Sequence, residues 1–249
     1  MMKTLFIEPG LFAIRTQVLD TEMHQHALMQ LTLPDQHSTL NVANYPPIHG
    51  AMTLLNANLP HQLTMQQGWV ILIEPSSQLG TQASKVLADN DIMTWPLETH
   101  DDSDELSNLL ARANLSYTAN TAMHHSHLDP RIATLLNQLN QCFNHDCLKP
   151  EHWLAKDIAQ SLKLSESRFL HLFKENMQLP WRPYLLWRRL ICAIQSLSRG
   201  DSATQAAHIA GFADSAHLSR TFKRQFGITM RKALESIQNA SPPNSINTK

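Results

Sequence analysis

The sequence predicts an α+β protein of two domains, in which a small β-barrel or sandwich precedes an all-α domain. Its 249 residues exceed the usual length of one domain. The first hundred residues hold short alternating apolar runs, whereas the residues from about 128 onward hold apolar stripes at helical spacing. Charge divides in the same way: residues 1–127 carry four basic and twelve acidic side chains, and residues 128–249 carry sixteen and nine. The basic half is the candidate to bind a polyanion.

Four apolar or β-branched runs predict strands in the first half of the chain. They lie at residues 11–14, 27–33, 52–55 and 69–73. Turn signals separate them, namely Leu33-Pro34-Asp35, Tyr45-Pro46-Pro47 and Gln67-Gly68. Short strands at this spacing are typical of a small barrel or sandwich.

A helix capped by Ser103 is predicted behind the acidic run 101–105, and a polar linker follows it. Its apolar residues recur at helical spacing: Leu106, Leu109, Leu110 and Ala113. This stripe either packs on its own barrel or forms a dimer interface, and the sequence leaves both readings open. Residues 116–127 are the predicted linker, which divides the chain into domains at 1–115 and 128–241.

The second half is predicted to be helical almost throughout, with clear start and stop signals. Asp129-Pro130 pairs an N-cap with proline at the first helical position, and Ser202 to Gln205 form a capping box. Glycines punctuate the helix ends. The helices are expected from Pro130 and at about 151–161, 166–177, 184–198, 203–210 and 215–226.

An internal repeat carries the functional prediction. Residues 165–174 align with residues 214–223, and each segment opens with an N-cap, Ser165 or Asp214. The inward-facing pairs are Phe169 with Phe173 and Leu218 with Phe222. A short helix and a tight turn precede each segment, which is the helix-turn-helix pattern. The alternative is a helical bundle with basic solvated faces, and two matches in one basic domain argue against it.

The second unit and its surroundings resemble a known family. Residues 211–224, followed by 226–229, resemble the signature of the AraC/XylS-type regulators, and residues 184–190 are similar to the helix that joins that family's two units. The resemblance covers about 128–235. It implies two recognition helices in successive major grooves, and activation of transcription more often than repression. The sequence departs from the family at three positions: Gln178 replaces a glycine, Met230 replaces a proline, and Leu170 occupies an often polar position.

Helix faces assign the candidate DNA-binding residues. In the first unit they are Ser167, Arg168, His171 and Lys174; in the second they are Ser215, Ala216, His217, Ser219, Arg220, Lys223 and Arg224. Arg220 is the best candidate for a bidentate guanine contact, with a phosphate contact as the alternative. Lys223 and Arg224, near the end of the helix, are expected to bind phosphate.

The resemblance implies that the N-terminal domain is a small cupin-like barrel that senses an effector or dimerises. His24, His26 and His61 are similar in outline to the two cupin motifs. Metal-binding cupins also need a glutamate, and Gln30 is the nearest residue to that position. We therefore expect turn or pocket histidines rather than a metal site.

The expected function is that of a cytoplasmic, sequence-specific transcription regulator without a cofactor or a membrane span. Its expected partners are double-stranded DNA, RNA polymerase, a small-molecule effector and a second copy of the chain. An alternative is a metal- or redox-responsive regulator that uses the histidines or the cysteines. Another is a cupin enzyme, although no complete catalytic or metal-ligand set is present and no enzymatic activity is expected. The three cysteines, an odd count without framework spacing, are expected to be reduced thiols.

Overall fold

The computed structural model describes residues 4–97, 105–117, 128–144 and 153–239, excluding the side chains of 141–144 and 236–239. The elements are β1 (Leu5–Glu8), β2 (Leu11–Asp20), β3 (Met29–Pro34), β4 (Thr39–Val42), β5 (Ile48–His49), β6 (Ala51–Leu55), β7 (His61–Ile73), α1 (Gln78–Leu87), β8 (Ile92–Pro96), α2 (Leu106–Arg112), α3 (Pro130–Asn144), α4 (Ala155–Ser161), α5 (Glu166–Met177), α6 (Trp181–Ser198), α7 (Ala203–Ile209), α8 (Ser215–Phe226) and α9 (Met230–Asn239). The β-rich half therefore precedes the helical half, as predicted.

An antiparallel sheet of eight strands forms the N-terminal domain, in the order β1-β2-β7-β3-β6-β8, with β4 pairing β5 and β7. The long strand β7 organises it. One edge of β7 pairs with β2, and the other edge pairs first with β4 and then with β3. The four predicted strand segments lie in or overlap β2, β3, β6 and β7. The predicted small cupin-like barrel is confirmed.

The apolar stripe of α2 packs against the barrel of its own chain. Leu106, Leu109, Leu110 and Ala113 are all buried there, together with barrel residues such as Leu31 and Ile71. A stripe covered in this way is not free to contact a second chain, so the structure favours self-packing over the dimer helix. Glu105 occupies the N-cap, while the predicted cap Ser103 lies outside the described residues. Dimerisation by another surface stays a prediction.

The helical domain follows the predicted boundaries closely. The observed ends of α5 and α8 are those predicted, whereas α6 begins three residues earlier, at Trp181. Asp129 caps α3 through a hydrogen bond that its carboxylate accepts from the Arg131 backbone N–H at 2.9 Å. The capping box of Ser202 and Gln205 is present at the start of α7. Capping and periodicity act within a few residues, which is why the sequence predicts these ends well.

One apolar cluster joins the two domains across the predicted boundary. It combines Phe12, Leu28 and Leu72 of the barrel with Trp187, Leu190, Ile191, Ile194, Phe222, Ile228 and Met230 of the helical domain. The rings of Phe12 and Trp187 meet edge to face with their centroids 6.0 Å apart. The indole N–H of Trp187 also donates to the buried carboxylate of Glu74 at 2.9 Å. Burial raises the pKa of Glu74, and the charge of Arg188 and this hydrogen bond act in the opposite direction.

Cys192 lies on α6 and is disulfide-bonded. The prediction that it is a reduced thiol is therefore wrong. Disulfide pairing requires thiols that approach in space, and helix packing decides this independently of spacing along the chain. The side chains of Cys142 and Cys147, on which the redox alternative depends, lie outside the described residues. Within the part of the chain that the structure describes, no helix has the length and apolar content needed to span a bilayer.

Candidate DNA-binding face and the adjoining barrel surface

The second helix-turn-helix unit is built from α7 and α8, joined by a turn around Gly211. The Asp214 carboxylate caps α8 by accepting a hydrogen bond from the His217 backbone N–H at 2.6 Å. The inward pair, Leu218 and Phe222, is buried as predicted, and Ala207 of α7 has no exposed surface. A small residue at this position lets the two helices cross closely. The buried face of α8 is thus fixed, which directs its opposite face outward.

The predicted DNA-binding residues of the second unit lie on the outer face of α8. Ala216, Ser219, Arg220, Lys223 and Arg224 are exposed, and Ser215 and His217 are half-buried. The His217 ring meets the Phe212 ring edge to face, with centroids 5.3 Å apart. Packing against Phe212 leaves His217 less free to contact a base than its exposed neighbours.

The first unit, formed by α4 and α5, has the same construction. The Ser165 hydroxyl caps α5 by accepting from the Arg168 backbone N–H at 3.3 Å, and the rings of Phe169 and Phe173 are fully buried. Ala159 of α4 is buried at the helix crossing, in the position equivalent to Ala207. The predicted DNA-binding residues Ser167, Arg168, His171 and Lys174 are all exposed on the outer face. Leu170, half-buried, packs against the core of this unit, which accounts for its apolar character.

Two arginines of α6 fix the helical domain internally, a role that the sequence did not reveal. Arg189 donates from Nε to the Ala210 carbonyl at 2.9 Å and from Nη2 to the Gly211 carbonyl at 2.5 Å, and its guanidinium lies over the Phe212 ring. Arg188 is buried and donates to the Asn140 side chain at 2.8 Å. Both side chains are therefore held within the helical domain by these hydrogen bonds. Their position within the apolar stripe of α6 was the signal that could have identified them.

The C-caps of the two recognition-helix candidates have the same left-handed backbone but differ in residue type. Gln178 ends α5 at φ 53°, and Gly227 ends α8 at φ 66°. Left-handed backbone costs about 1–2 kcal/mol for a residue with a Cβ, and glycine avoids this cost. Gln178, where the resembling family has glycine, therefore strains the first unit. At Gly227 a Cβ would also lie only 2.3 Å from the carbonyl oxygen of Glu22.

A loop of the barrel contacts the end of α8 directly. The Glu22 backbone N–H donates to the Gly227 carbonyl at 2.7 Å, and the Glu22 carboxylate pairs with the Lys223 ammonium at 2.7 Å. An open cleft beside this contact is lined by Glu22 and Met23 together with Ser219, Arg220 and Arg224 of α8. The barrel therefore reaches the edge of the candidate DNA-binding face.

Behind that loop, three histidines converge. His24 forms an isolated β-bridge with His61, and one ring nitrogen from each of His24, His26 and His61 lies within 4.8 Å of the other two. Burial lowers the pKa of His26 to about 4 and that of His61 to about 3, so both rings are neutral at pH 7. Burial also lowers the pKa of His24. The two sequence motifs thus meet in space.

An apolar cavity of about 90 Å³ lies between the barrel and the second helix-turn-helix unit. Its lining includes Phe12 and Leu72 of the barrel and Phe222 and Phe226 of α8. An engineered cavity of roughly 150 Å³ binds benzene, so this one as it stands accommodates a smaller apolar group. Because both domains contribute walls, an occupant would contact the barrel and the candidate recognition helix together.

Comparison with known proteins places the helical domain in a recognised class. Residues 158–236, about a third of the chain, match a family model described as "Helix-turn-helix domain". No curated protein matches the chain significantly. Two crystal structures of ToxT from Vibrio cholerae O395 are similar in fold over 92% of this chain and 99% of theirs. One, bound to (E)-4-(8-methylnaphthalen-1-yl)but-3-enoic acid, is 17% identical with a TM-score of 0.51, and the other is 16% identical with a TM-score of 0.53.

Proposed function

We propose that this chain is a sequence-specific transcription regulator. The helix-turn-helix match bears out its resemblance to AraC/XylS-type regulators. Its helical domain is a DNA-binding domain of the kind found in transcription regulators. The proposal extends this to the mode of binding, in which α5 and α8 enter successive major grooves on one side of the duplex. We further propose that the chain activates transcription.

The observation that carries the proposal is the repeated exposure of a polar and basic face on two equivalent helices. In both α5 and α8 the apolar pair is buried and the opposite face is solvated. Basic side chains lie at the start and near the end of the α5 face, and they cluster in the second half of α8. A major groove admits one helix, and cationic side chains at its ends contact phosphates. Two helices held by one long helix, α6, suit two successive grooves.

The cavity between the domains supports control by a small apolar effector. Its walls come from β2 and β7 on one side and from α8 and α9 on the other. ToxT, whose fold this chain shares, has been crystallised with an aryl-substituted butenoic acid. An occupant that contacts both walls would stabilise one arrangement of the barrel relative to α8. We accordingly propose a small effector with an apolar part that fits this cavity.

The remaining parts of the proposal concern partners and location. A regulator of this kind would act in the cytoplasm, on double-stranded DNA, and would recruit RNA polymerase to activate transcription. A second copy of the chain would pair with the first through the N-terminal domain and bind a neighbouring half-site with its own helical domain. Pairing of this kind raises affinity by linkage without any new contact to a base.

The experiment that tests the proposal is DNA binding by the full chain over a range of salt concentrations. Wild-type protein should bind duplex DNA with a steep log–log salt dependence, because a basic domain displaces counterions from phosphate. Lys174→Ala should weaken binding and reduce the salt slope by about one unit. Lys85→Ala, an exposed lysine on α1 of the barrel, is the matched control and should behave as wild type. Salt-insensitive binding, or equal effects of the two substitutions, would refute the proposal.

A further inference from the structure

The cluster of His24, His26 and His61 has hydrogen-bonding features that a merely structural histidine cluster does not need. Nδ1 of His24 lies 2.8 Å from the Glu22 carbonyl, Nδ1 of His26 lies 3.0 Å from the Leu28 carbonyl, and Nδ1 of His61 lies 2.8 Å from the Leu59 carbonyl. A carbonyl only accepts, so each Nδ1 carries the proton. In all three rings Nε2 is therefore the nitrogen with a free lone pair.

One of these lone pairs has no partner in the protein. Nε2 of His61 is a buried side-chain atom without a hydrogen bond, and the ring is only 2% exposed. A buried polar atom without a partner costs about 1–3 kcal/mol, so such atoms usually have a ligand or an ion. The neighbouring lone pairs of His24 and His26 cannot donate to it. An electron-pair acceptor is what this position lacks.

A transition-metal ion supplies that acceptor. Metal-binding histidines characteristically donate their second ring N–H to a backbone carbonyl or carboxylate, which is the arrangement found at all three rings. Two nitrogens on a tetrahedral Zn²⁺ lie roughly 3.4 Å apart, so the ring nitrogens, now within 4.8 Å of one another, must close by up to about 1.4 Å. The half-exposed His24 ring can move, whereas the other two rings are buried.

Gln30 provides a fourth oxygen ligand beside the three nitrogens. Its Oε1 lies 3.2 Å from Nε2 of His26, and its Nε2 donates to the Thr32 hydroxyl at 3.1 Å. With the amide in this orientation its oxygen faces the histidine, so two acceptors face each other. A cation between them satisfies both. Three imidazoles and one neutral oxygen suit Zn²⁺ and related ions and do not suit Mg²⁺ or Ca²⁺.

The cluster is also connected to the candidate DNA-binding helix by a short, continuous path. His24 donates to the Glu22 carbonyl, and Glu22 in turn donates its backbone N–H to the Gly227 carbonyl at the end of α8. The Glu22 carboxylate meanwhile pairs with Lys223, one of the side chains expected to bind phosphate. An ion on His24 polarises its ring N–H and orders the loop that carries Glu22.

We propose that His24, His26 and His61 bind one Zn²⁺ ion, with Gln30 as a fourth ligand, and that this ion weakens DNA binding by holding Glu22 against Lys223 and Gly227. Zinc binding does not depend on the proposed DNA binding, although His24, His26 and Gln30 also line the cavity between the domains. The effect of zinc on DNA binding rests on the proposed function. Lys223 cannot neutralise a phosphate while it is paired with Glu22. Zinc binding and one phosphate contact are therefore mutually opposed.

Zinc binding is tested first, by equilibrium dialysis of the metal-free full chain against Zn²⁺ and by the visible absorption spectrum of the Co²⁺ form. His24→Ala and His61→Ala should each bind one zinc ion fewer than wild type and lose the Co²⁺ bands. His49→Ala, an exposed histidine on β5, is the matched control and should retain both. Zinc bound elsewhere on the chain cancels in this comparison. Because His61 is buried, circular dichroism must show that His61→Ala is folded. His24 is half-exposed, so His24→Ala is expected to disturb the fold less.

Equal zinc content and equal Co²⁺ spectra for His24→Ala and His49→Ala would overturn the site.

The effect on DNA is then measured by fluorescence anisotropy with a random-sequence duplex at several salt concentrations. Zinc should lower the affinity of wild type several-fold and make the salt slope shallower by about one unit.

Two substitutions separate the site from its effect on DNA. Glu22→Gln should bind zinc normally, yet its DNA affinity should no longer respond to the ion. Asp20→Asn, a nearby exposed carboxylate that bonds only to Thr64 among the described contacts, should keep the full response. An equal response in both variants, or none in wild type, would overturn the coupling. Absence of DNA binding with and without zinc would refute the proposed function and leave the zinc measurements standing.

Discussion

Gly227→Ala tests whether the end of α8 is held against the barrel. The new Cβ would lie 2.3 Å from the Glu22 carbonyl oxygen and 2.6 Å from Nδ1 of His24. The backbone at this position has φ 66°, which costs about 1–2 kcal/mol for a residue other than glycine. Gly200→Ala is the matched control, because Gly200 has φ 96° and a Cβ there would meet no atom within 4 Å. The two substitutions share the backbone cost and differ in the contact.

The overlap of the new Cβ with Glu22 and His24 destabilises the Gly227 variant further, and the Gly200 variant has no such overlap. Relief of the overlap requires the loop to move by roughly 1 Å, since carbon and oxygen atoms normally approach no closer than about 3.4 Å. This movement breaks the hydrogen bond from Glu22 to Gly227, which is worth about 0.5–1.5 kcal/mol. The expected loss in free energy of unfolding is therefore about 1.5–3.5 kcal/mol for Gly227→Ala, against about 1–2 kcal/mol for Gly200→Ala.

Urea and thermal unfolding of the full chain measure both losses. One kcal/mol shifts Tm by about 2–4 °C in a protein of this size, so the excess at Gly227 should be a difference of several degrees. Gly227→Ala should also weaken the ion pair of Glu22 and Lys223, because both depend on the same loop position. If the two glycine variants lost equal stability, the close approach of the barrel to α8 would be refuted.

Three further predictions address the helix face, the barrel helix and pH. Arg220→Ala should weaken binding to the cognate site by about 1–3 kcal/mol with little effect on random DNA, while Lys223→Ala should weaken binding to both DNAs equally. Competition binding with cognate and random duplexes measures both effects. Equal losses on the two DNAs for Arg220→Ala would mean that Arg220 contacts a phosphate. Leu110→Glu should lower the free energy of unfolding by several kcal/mol in thermal melts, because Leu110 has no exposed surface. If wild type were a dimer and the variant a stable monomer, α2 would instead be a dimer helix. In the metal-free chain, His26 and His61 have lowered pKa values, so only the unfolded chain takes up protons just below about pH 6.5. Stability should thus be constant above about pH 7 and fall towards pH 4, by up to about 1.4 kcal/mol per pH unit for each ring; a flat urea-unfolding profile would contradict this.

The sequence alone determined the parts of this protein that depend on local interactions. Caps and apolar spacing fixed α5 and α8 to the residue, because a helix end is decided by hydrogen bonds over three or four positions. The same reasoning identified the buried pairs and the outward faces of both units. It missed α1, in which Leu79, Ala83 and Leu87 recur every four residues, and it did not assign a helix to 230–239.

Only the tertiary structure decided how distant segments meet. The pairing of Glu22 with Lys223, the disulfide of Cys192 and the burial of the α2 stripe all join elements that the sequence leaves independent. The histidines show the division most clearly. Their motifs were visible in the sequence, but the direction of each Nδ1–H and the unpartnered Nε2 of His61 depend on strand pairing and backbone carbonyls. Such contacts form when the two domains bury apolar surface against each other. The hydrophobic effect that drives this burial has no preferred direction, so short-range sequence patterns do not encode which segments meet.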